Sequence, residues 1–595
     1  MNQPKIRVEH ILFTTAFLLA LVTRLANVGS APLNNAEADL ALQSLALARG
    51  QNMLIGAQPV YLLLTTLWLY LFPSSNWVAR FWPAVAGSLL ALSPLLFRKW
   101  LGKGPAVILA FALALDPGLL AVSRRADGLA LAITFAVFAL GFWLNEKRNL
   151  AGICAGLALL GGPQIWPGIV ALAAALWLVY GRSSQRMSES LADPSSPAVE
   201  SAGSAPEEIK TPVKTAVLIM LATLFFAGTL FFAVPSGLSA MADTLPAYLR
   251  TWAQPSGMSV GLLLVTLLVY EFFPLIWGLI GAAVGLGRKD PVDLFLLVWW
   301  AIALVLALAN PGHLATDLAW SLLPLWALAA RQLFWLVRLP SVDRWPLVGQ
   351  MVLSAIIICV ISMDLVSQAN NPNLSEREAA LRLIGALVML VASTGLIAWG
   401  WSGQVALRGL AIGASAVLLV YTLSAGWNAA GLSGRRSQET WAPGLALEDA
   451  DLLKRTFSDL SQWGPNQPGG PDVVVVKNAS PALRWLLRGV QRISFVDQLS
   501  TGSSPSIVIT PNQKDLTLAA SYRGENFLLS DAVQWGALSR ADWFRWVAFR
   551  TVPSSMLVQE KIIFWARADM FPGGKLTGSV TSSDSSTQNQ PPATK

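Results

Sequence analysis

Runs of about twenty apolar residues recur along nearly the whole chain, and a helix of that length spans a bilayer. They fall at 10–29, 80–97, 104–121, 127–144, 149–162, 167–181, 213–235, 258–287, 292–309, 318–338, 346–367, 378–400 and 404–426, the fifth being short and the eighth long. About thirteen spanning helices predict an all-α polytopic membrane bundle over residues 1–427. Composition agrees: only 13% of the 595 residues are charged, against about a quarter in soluble domains. Mean hydropathy is +0.54. The 25 Trp and 24 Phe suit a chain with two membrane–water interfaces.

A further apolar run, QPVYLLLTTLWLYLFP at 58–73, decides the topology. If it does not cross, Arg98 to Lys103, Lys147-Arg148, Arg182 to Lys214, Arg288-Lys289 and Arg331 to Arg344 all fall on the side of Lys5 and Arg7. Positive charge then marks one side as cytoplasmic. The run is therefore expected to be an interfacial helix within the first outer loop, 30–79. The N-terminus is then cytoplasmic and the C-terminal domain extracytoplasmic, in a plasma (inner) membrane. The net charge of +8 is explained by these loops and asks for no nucleic acid. Cys154 and Cys359 lie inside apolar runs and read as small hydrophobes. No Ala-x-Ala cleavage site follows the first run, which predicts an uncleaved first helix.

Residues 182–212, rich in Ser, Pro, Ala and Glu, predict a disordered cytoplasmic linker, and 574–595 a disordered tail. Residues 428–573 predict a small α/β domain. Asp472 to Lys477 is a β-branched run, Ser480-Pro481 a helix start, and 493–496, 506–510 and 561–566 further strands. No glycine-rich phosphate loop follows the first strand, so nucleotide binding is not supported.

The first outer loop holds Glu37 and Asp39. A carboxylate at the mouth of an apolar bundle suits a general base. The alternative is helix-start chemistry, with Asn34 or Asn35 as the cap and Glu37 in the first turn. A second cluster, Asp116-Pro-Gly-Leu-Leu-Ala-Val-Ser-Arg124-Arg125-Ala-Asp127, puts two arginines on the outer side, against the general charge bias. They could bind a phosphate, or pair with Asp127. Arg80 is placed to meet a lipid phosphate or to snorkel. Glu271 lies within an apolar run, where an acid is a functional candidate. His313 and Asp317 share an outer loop.

The order of four segments resembles a known family. They are Leu33-Asn-Asn-Ala-Glu37-Ala-Asp39 running on to Gly50, Pro59-Val-Tyr61, Ala79-Arg80-Phe-Trp-Pro83 and Ser123-Arg-Arg-Ala-Asp127. The chain resembles the GT-C membrane glycosyltransferases of the protein O-mannosyltransferase and lipid A aminoarabinose transferase type, over roughly the first 330 residues. The resemblance implies a helical bundle that takes a sugar from a polyprenyl-phosphate donor and gives it to a glycan, lipid or protein acceptor on the outer face. The family's catalytic residue is a first-loop Asp followed by Glu; here that pair reads Ala36-Glu37. Glu37 is then the first substitute, with Asp127 and Asp39 behind it, Asp39 pointing about 200° from Glu37 on a helix. Arg80, Arg124 and Arg125 are implied as donor-phosphate ligands. Family members exist with and without a metal; no cofactor is expected from these residues, and a divalent metal stays open. The competing readings are a catalytically inactive relative that binds lipid-linked sugar or a partner protein, and a lipid or glycan transporter.

Overall fold

A computed structural model describes residues 8–181, 210–337, 344–370, 376–433 and most of 438–572. Most of the expected linker and the whole expected tail lie outside the described residues. The chain forms two compact units. One is helical and comprises Met1–Ala31, Leu40–Pro443 and Gln534–Met556. The other comprises Pro32–Asp39, Gly444–Val533 and Leu557–Lys595. This division follows contacts rather than sequence: a stretch of the first loop joins the second unit, and 534–556 joins the helical one.

Among the described residues of the helical unit, seven helices are long and apolar enough to cross a membrane, or nine if each of two bent pairs is one span. The other expected spans fall on the shorter apolar helices Leu129–Leu144, Arg148–Leu159, Ile165–Gly181 and Val213–Gly228. The helix Pro59–Leu71 has 13 residues and reaches about 20 Å, short of the roughly 30 Å hydrocarbon core. Its Trp68 stacks on Phe81 and meets Trp82 edge-on. At the centre, every residue of Ala319–Ala330 is buried. A helix apolar on all sides can pack neighbours all round.

Two runs that read as continuous spans are broken. Between Lys103–Leu115 and Pro117–Ser123 the axis turns by 55° at Asp116. Pro117 cannot extend the preceding helix, and Asp116 caps the new one, its Oδ1 accepting from Leu119 N at 2.6 Å. The long run at 258–287 is two helices, Val260–Tyr270 and Phe272–Arg288, turned by 87° at Glu271. Pro274 sits in the first turn of the second helix, where a missing N–H costs nothing.

The second unit is built on a five-stranded sheet, order β2-β1-β3-β5-β4. The strands are β1 (Val473–Val476), β2 (Ile493–Val496), β3 (Ile507–Pro511), β4 (Tyr522–Val533) and β5 (Leu557–Arg567). β1 runs parallel to β2 and β3, while β5 pairs antiparallel with β3 and β4. The sequence runs anticipate β1, β2 and β3 closely, truncate β5 and miss β4. Gly524 in β4 lets the ring of Trp565 lie across the strand, since a Cβ there would fall 2.7 Å from it.

Candidate functional site

Arginine inside an apolar bundle must find acceptors, and three arginines of the helical unit find backbone carbonyls. Proline and turn residues stop the helices, which leaves their last carbonyls without N–H partners. Arg24, fully buried, donates to Leu113 O (2.9 Å) and Ala114 O (2.8 Å) at the end of Lys103–Leu115. Arg124 donates to Thr23 O, Arg24 O and Ala26 O at 2.7–3.0 Å, and through Nε to Ala430 O at 2.9 Å. It thereby caps Val8–Leu25 and Gly403–Ala429 together. Arg80, also fully buried, donates to Val28 O (3.0 Å) and Ala31 O (2.7 Å).

Arg125 is different. Its Nε pairs with Asp127 Oδ2 at 3.0 Å, its residue is 9% exposed, and its buried Nη1 has no hydrogen-bond partner among the described residues. Asp127 also accepts from Leu129 N at 3.1 Å through Oδ1. The turn is held from the other side by Gln58, whose Oε1 accepts from Gly128 N at 2.7 Å. Gly162, at φ +122°, lets Gln58 approach, since a Cβ there would sit 2.9 Å from its Cγ.

Asp317 lies within electrostatic reach of both Arg125 and His313. Its carboxylate accepts from Leu314 N at 2.9 Å, which fixes the short 3-10 turn Ala315–Leu318. His313 is buried, with Nδ1 2.6 Å from Asn310 O. A carbonyl only accepts, so Nδ1 carries a proton. Nε2 has no partner. Arg125, Asp127, His313 and Asp317 thus form one polar cluster holding an unused cationic donor and an unused ring nitrogen. Burying such groups without partners is costly, so the cluster has the chemistry of a ligand site.

Glu271 belongs elsewhere. It is fully buried, its Oε1 accepts from Gly118 N at 3.2 Å, and its carboxyl lies beside that of Asp116. Asp116 Oδ2 accepts from Trp326 Nε1 at 2.5 Å. The two helix breaks are therefore tied to each other.

Within the second unit, Asn34 and Glu37 form a capping box at the start of Asn35–Ala48. Glu37 N donates to Asn34 Oδ1 at 2.9 Å, and Asn34 N to Glu37 Oε2 at 3.1 Å. Glu37 is 2% exposed, while Ala36 and Asp39 are exposed. Asn35 reaches away: its Oδ1 accepts from Ala482 N at 3.2 Å. Asn35, rather than the expected Ser480, supplies the side-chain cap of Pro481–Leu486, for Ser480 makes no cap bond. Sequence reasoning did not single out Arg24, Gln58, Asn310 or the role of Asn35; the side chains of Arg24, Gln58 and Asn35 meet distant backbone groups, and Asn310 acts on His313 through its own carbonyl.

No sequence-family profile matches the chain, and no characterised protein matches it by sequence. Its fold nevertheless has a solved counterpart. ArnT from Cupriavidus metallidurans, solved bound to undecaprenyl phosphate, superposes with a TM-score of 0.54 at 14% identity, over 95% of this chain and 98% of that one. The apo state of ArnT gives 0.48 at 14% identity, over 84% and 92%. The Archaeoglobus fulgidus oligosaccharyltransferase, in complex with Zn and sulfate, gives 0.35 at 16% identity, over 85% and 68%. The fold expected from the sequence, a multi-pass membrane bundle with a small sheet-containing domain, is thus the fold observed.

Proposed function

We propose that this protein transfers a sugar from a polyprenyl-phosphate donor to an acceptor at the outer face of the plasma membrane. The observation carrying the reading is the Arg125–Asp127–His313–Asp317 cluster, with its unpartnered Arg125 Nη1 and His313 Nε2, inside a fold shared with a protein solved bound to undecaprenyl phosphate. A guanidinium with a spare N–H suits a phosphate oxygen.

In this mechanism the acceptor hydroxyl attacks the anomeric carbon as the carbon–oxygen bond to phosphate breaks. The bonding pair leaves on the polyprenyl phosphate, where Arg125 meets the growing charge. The acceptor proton passes to a carboxylate: Glu37 first, by its place in the first loop, then Asp127, then Asp39. His313 Nε2 accepts a hydrogen bond from a sugar or acceptor hydroxyl. Arg80 and Arg124, although still within the proposed phosphate environment, act mainly by holding the loops. No cofactor is assigned.

A second reading has one observation in its favour. The Glu37 carboxylate is engaged in the capping box, and Ala36 stands where the resembled family carries its Asp. A relative that binds the carrier without turnover would look the same here. Sugar release from a panel of radiolabelled polyprenyl-phosphate sugars separates the two. Turnover lost in Glu37→Gln or Asp127→Asn establishes the transferase and names the base. Saturable carrier binding with no turnover on any donor sinks the enzyme reading for those donors.

A further inference from the structure

The helix Arg540–Phe549 lies in sequence between β4 and β5, yet it belongs to the helical unit. One face is fastened there. Trp546 is fully buried and donates through Nε1 to Gln438 O at 2.8 Å, while Val552 N donates to Gln438 Oε1 at 3.1 Å. The Arg550 guanidinium lies 4.4 Å over the Tyr270 ring and 4.8 Å over Trp546. It also lies within electrostatic reach of Tyr421, and the Tyr270 hydroxyl bonds the Glu439 carboxylate. The helix packs against Arg344–Asn370 as well.

These anchors fix its depth. Tyr421 lies about 27 Å along Gly403–Ala429 from Gly403, close to the roughly 30 Å at which a hydrocarbon core ends. Gly409 rests on Leu347 and Gln350, and Gly413 on Met351 and Ser354, so Arg344–Asn370 runs parallel to Gly403–Ala429 and reaches the same level.

The other face is open. Arg540, Ala541, Phe544, Arg545 and Ala548 are exposed, at the spacing of one helical face. Phe544 is 50% exposed. Trp535 and Trp543 flank the helix with ring centroids 5.7 Å apart. Its one acid, Asp542, is engaged in a capping box with Ser539. Among the described residues, neither Arg540 nor Arg545 makes an ion pair or hydrogen bond. An aromatic and two free arginines, level with the ends of spanning helices, match an anionic headgroup layer in chemistry and in position.

We propose that Arg540–Phe549 is a membrane-surface anchor, lying in the headgroup layer with Phe544 toward the acyl chains and Arg540 and Arg545 on anionic lipid phosphates. The C-terminal part of the chain, on leaving β4, is thereby pinned to the bilayer before it returns as β5.

The test is nitroxide accessibility in the full-length protein, in nanodiscs of phosphatidylcholine and phosphatidylglycerol. A label on Phe544→Cys is read in a Cys359→Ser background, with Ala548→Cys as a second site and exposed Asp459→Cys as the aqueous reference. Oxygen should relax the Phe544 and Ala548 labels more than a water-soluble nickel chelate does, the reverse of Asp459. Chelate access equal to that of Asp459 overturns the proposal. So does low access to both agents, which would mean that protein, such as a second copy, covers the face. Phosphatidylglycerol should raise the thermal midpoint of wild type, and the Arg540→Gln/Arg545→Gln double variant should lose most of that rise. A double variant that keeps the full rise removes the anionic-lipid contact from the proposal.

Discussion

Adjacent arginines of the helical unit, Arg124 and Arg125, are used in opposite ways; Arg24, like Arg125, keeps one buried nitrogen, its Nε, without a partner among the described residues. Arg24 and Arg124 each satisfy several backbone carbonyls at helix ends, and Arg80 does the same in the loop beyond. Arg125, adjacent in sequence to Arg124, spends one nitrogen on Asp127 and leaves another unused. Neighbouring residues of one type, buried alike, thus serve opposite ends. A saturated guanidinium holds shape, because removing it orphans acceptors that water cannot reach. An unsaturated one stores a cost that a ligand can relieve.

The sharpest way to break this contrast is Arg124→Met. It strips four carbonyls of their donor and should lower stability by about 3 kcal/mol or more. The thermal midpoint of the purified protein in detergent is the measurement. A midpoint near wild type would show that water replaces the guanidinium, and the division into shape-holding and ligand-seeking arginines would fail.

The double variant Arg125→Gln/Asp127→Asn removes both members of the ion pair together, so neither is left behind without the other. Its thermal midpoint should stay within a few degrees of wild type. Donor turnover should fall by about a hundredfold or more if Arg125 stabilises the leaving phosphate. A midpoint lowered as far as that of Arg124→Met would place Arg125 with the structural arginines.

These two kinds could not be told apart in the sequence. Hydropathy and charge bias gave the membrane bundle, because crossing a bilayer leaves a signature in every span. The β-branched run at Val473–Val476 announced its strand for a similar reason: a strand buried on both faces is written as continuous apolar sequence. β4 carries Arg523, Gly524, Glu525 and Asn526 at its start and a register shift between Leu528 and Ser530, so it shows neither a run nor an alternation. The break at Glu271 is hidden for another reason. Hydropathy counts side chains, and an 87° turn of backbone inside an apolar run leaves the count unchanged. Arg24 reads as a snorkelling charge at a helix end; its acceptors at Leu113 and Ala114 are some ninety residues away in sequence. The motif Ser123-Arg-Arg-Ala-Asp127 marks the turn that carries both arginines, without showing which of them is already occupied.

The carboxyl pair at the two breaks extends the contrast to acids. Asp116 holds Leu119 N and Trp326 Nε1 and lies beside the Glu271 carboxyl. Asp116→Ala should therefore cost about 2 kcal/mol, since it frees two buried donors. Asp116→Asn keeps an acceptor and supplies its own donor to Glu271, so it should cost much less. Equal losses in the two variants would mean that an acceptor at this position, and with it the capping, does not stabilise the breaks.

The smallest effect is expected in the second unit, where Asn35 caps a helix that begins some 450 residues later. Asn35→Ala should cost about 1 kcal/mol, the usual worth of a side-chain cap. Asn35→Asp should keep most of it, because a carboxylate accepts from Ala482 N equally well. Hydrogen exchange at the Ala482 amide reads the contact directly, without relying on activity. Fast exchange in Asn35→Ala and slow exchange in wild type and Asn35→Asp would show that the first-loop turn carrying Glu37 and the helix Pro481–Leu486 hold each other. Fast exchange in wild type would remove that tie, and the position of Glu37 would then rest on its capping box with Asn34 alone.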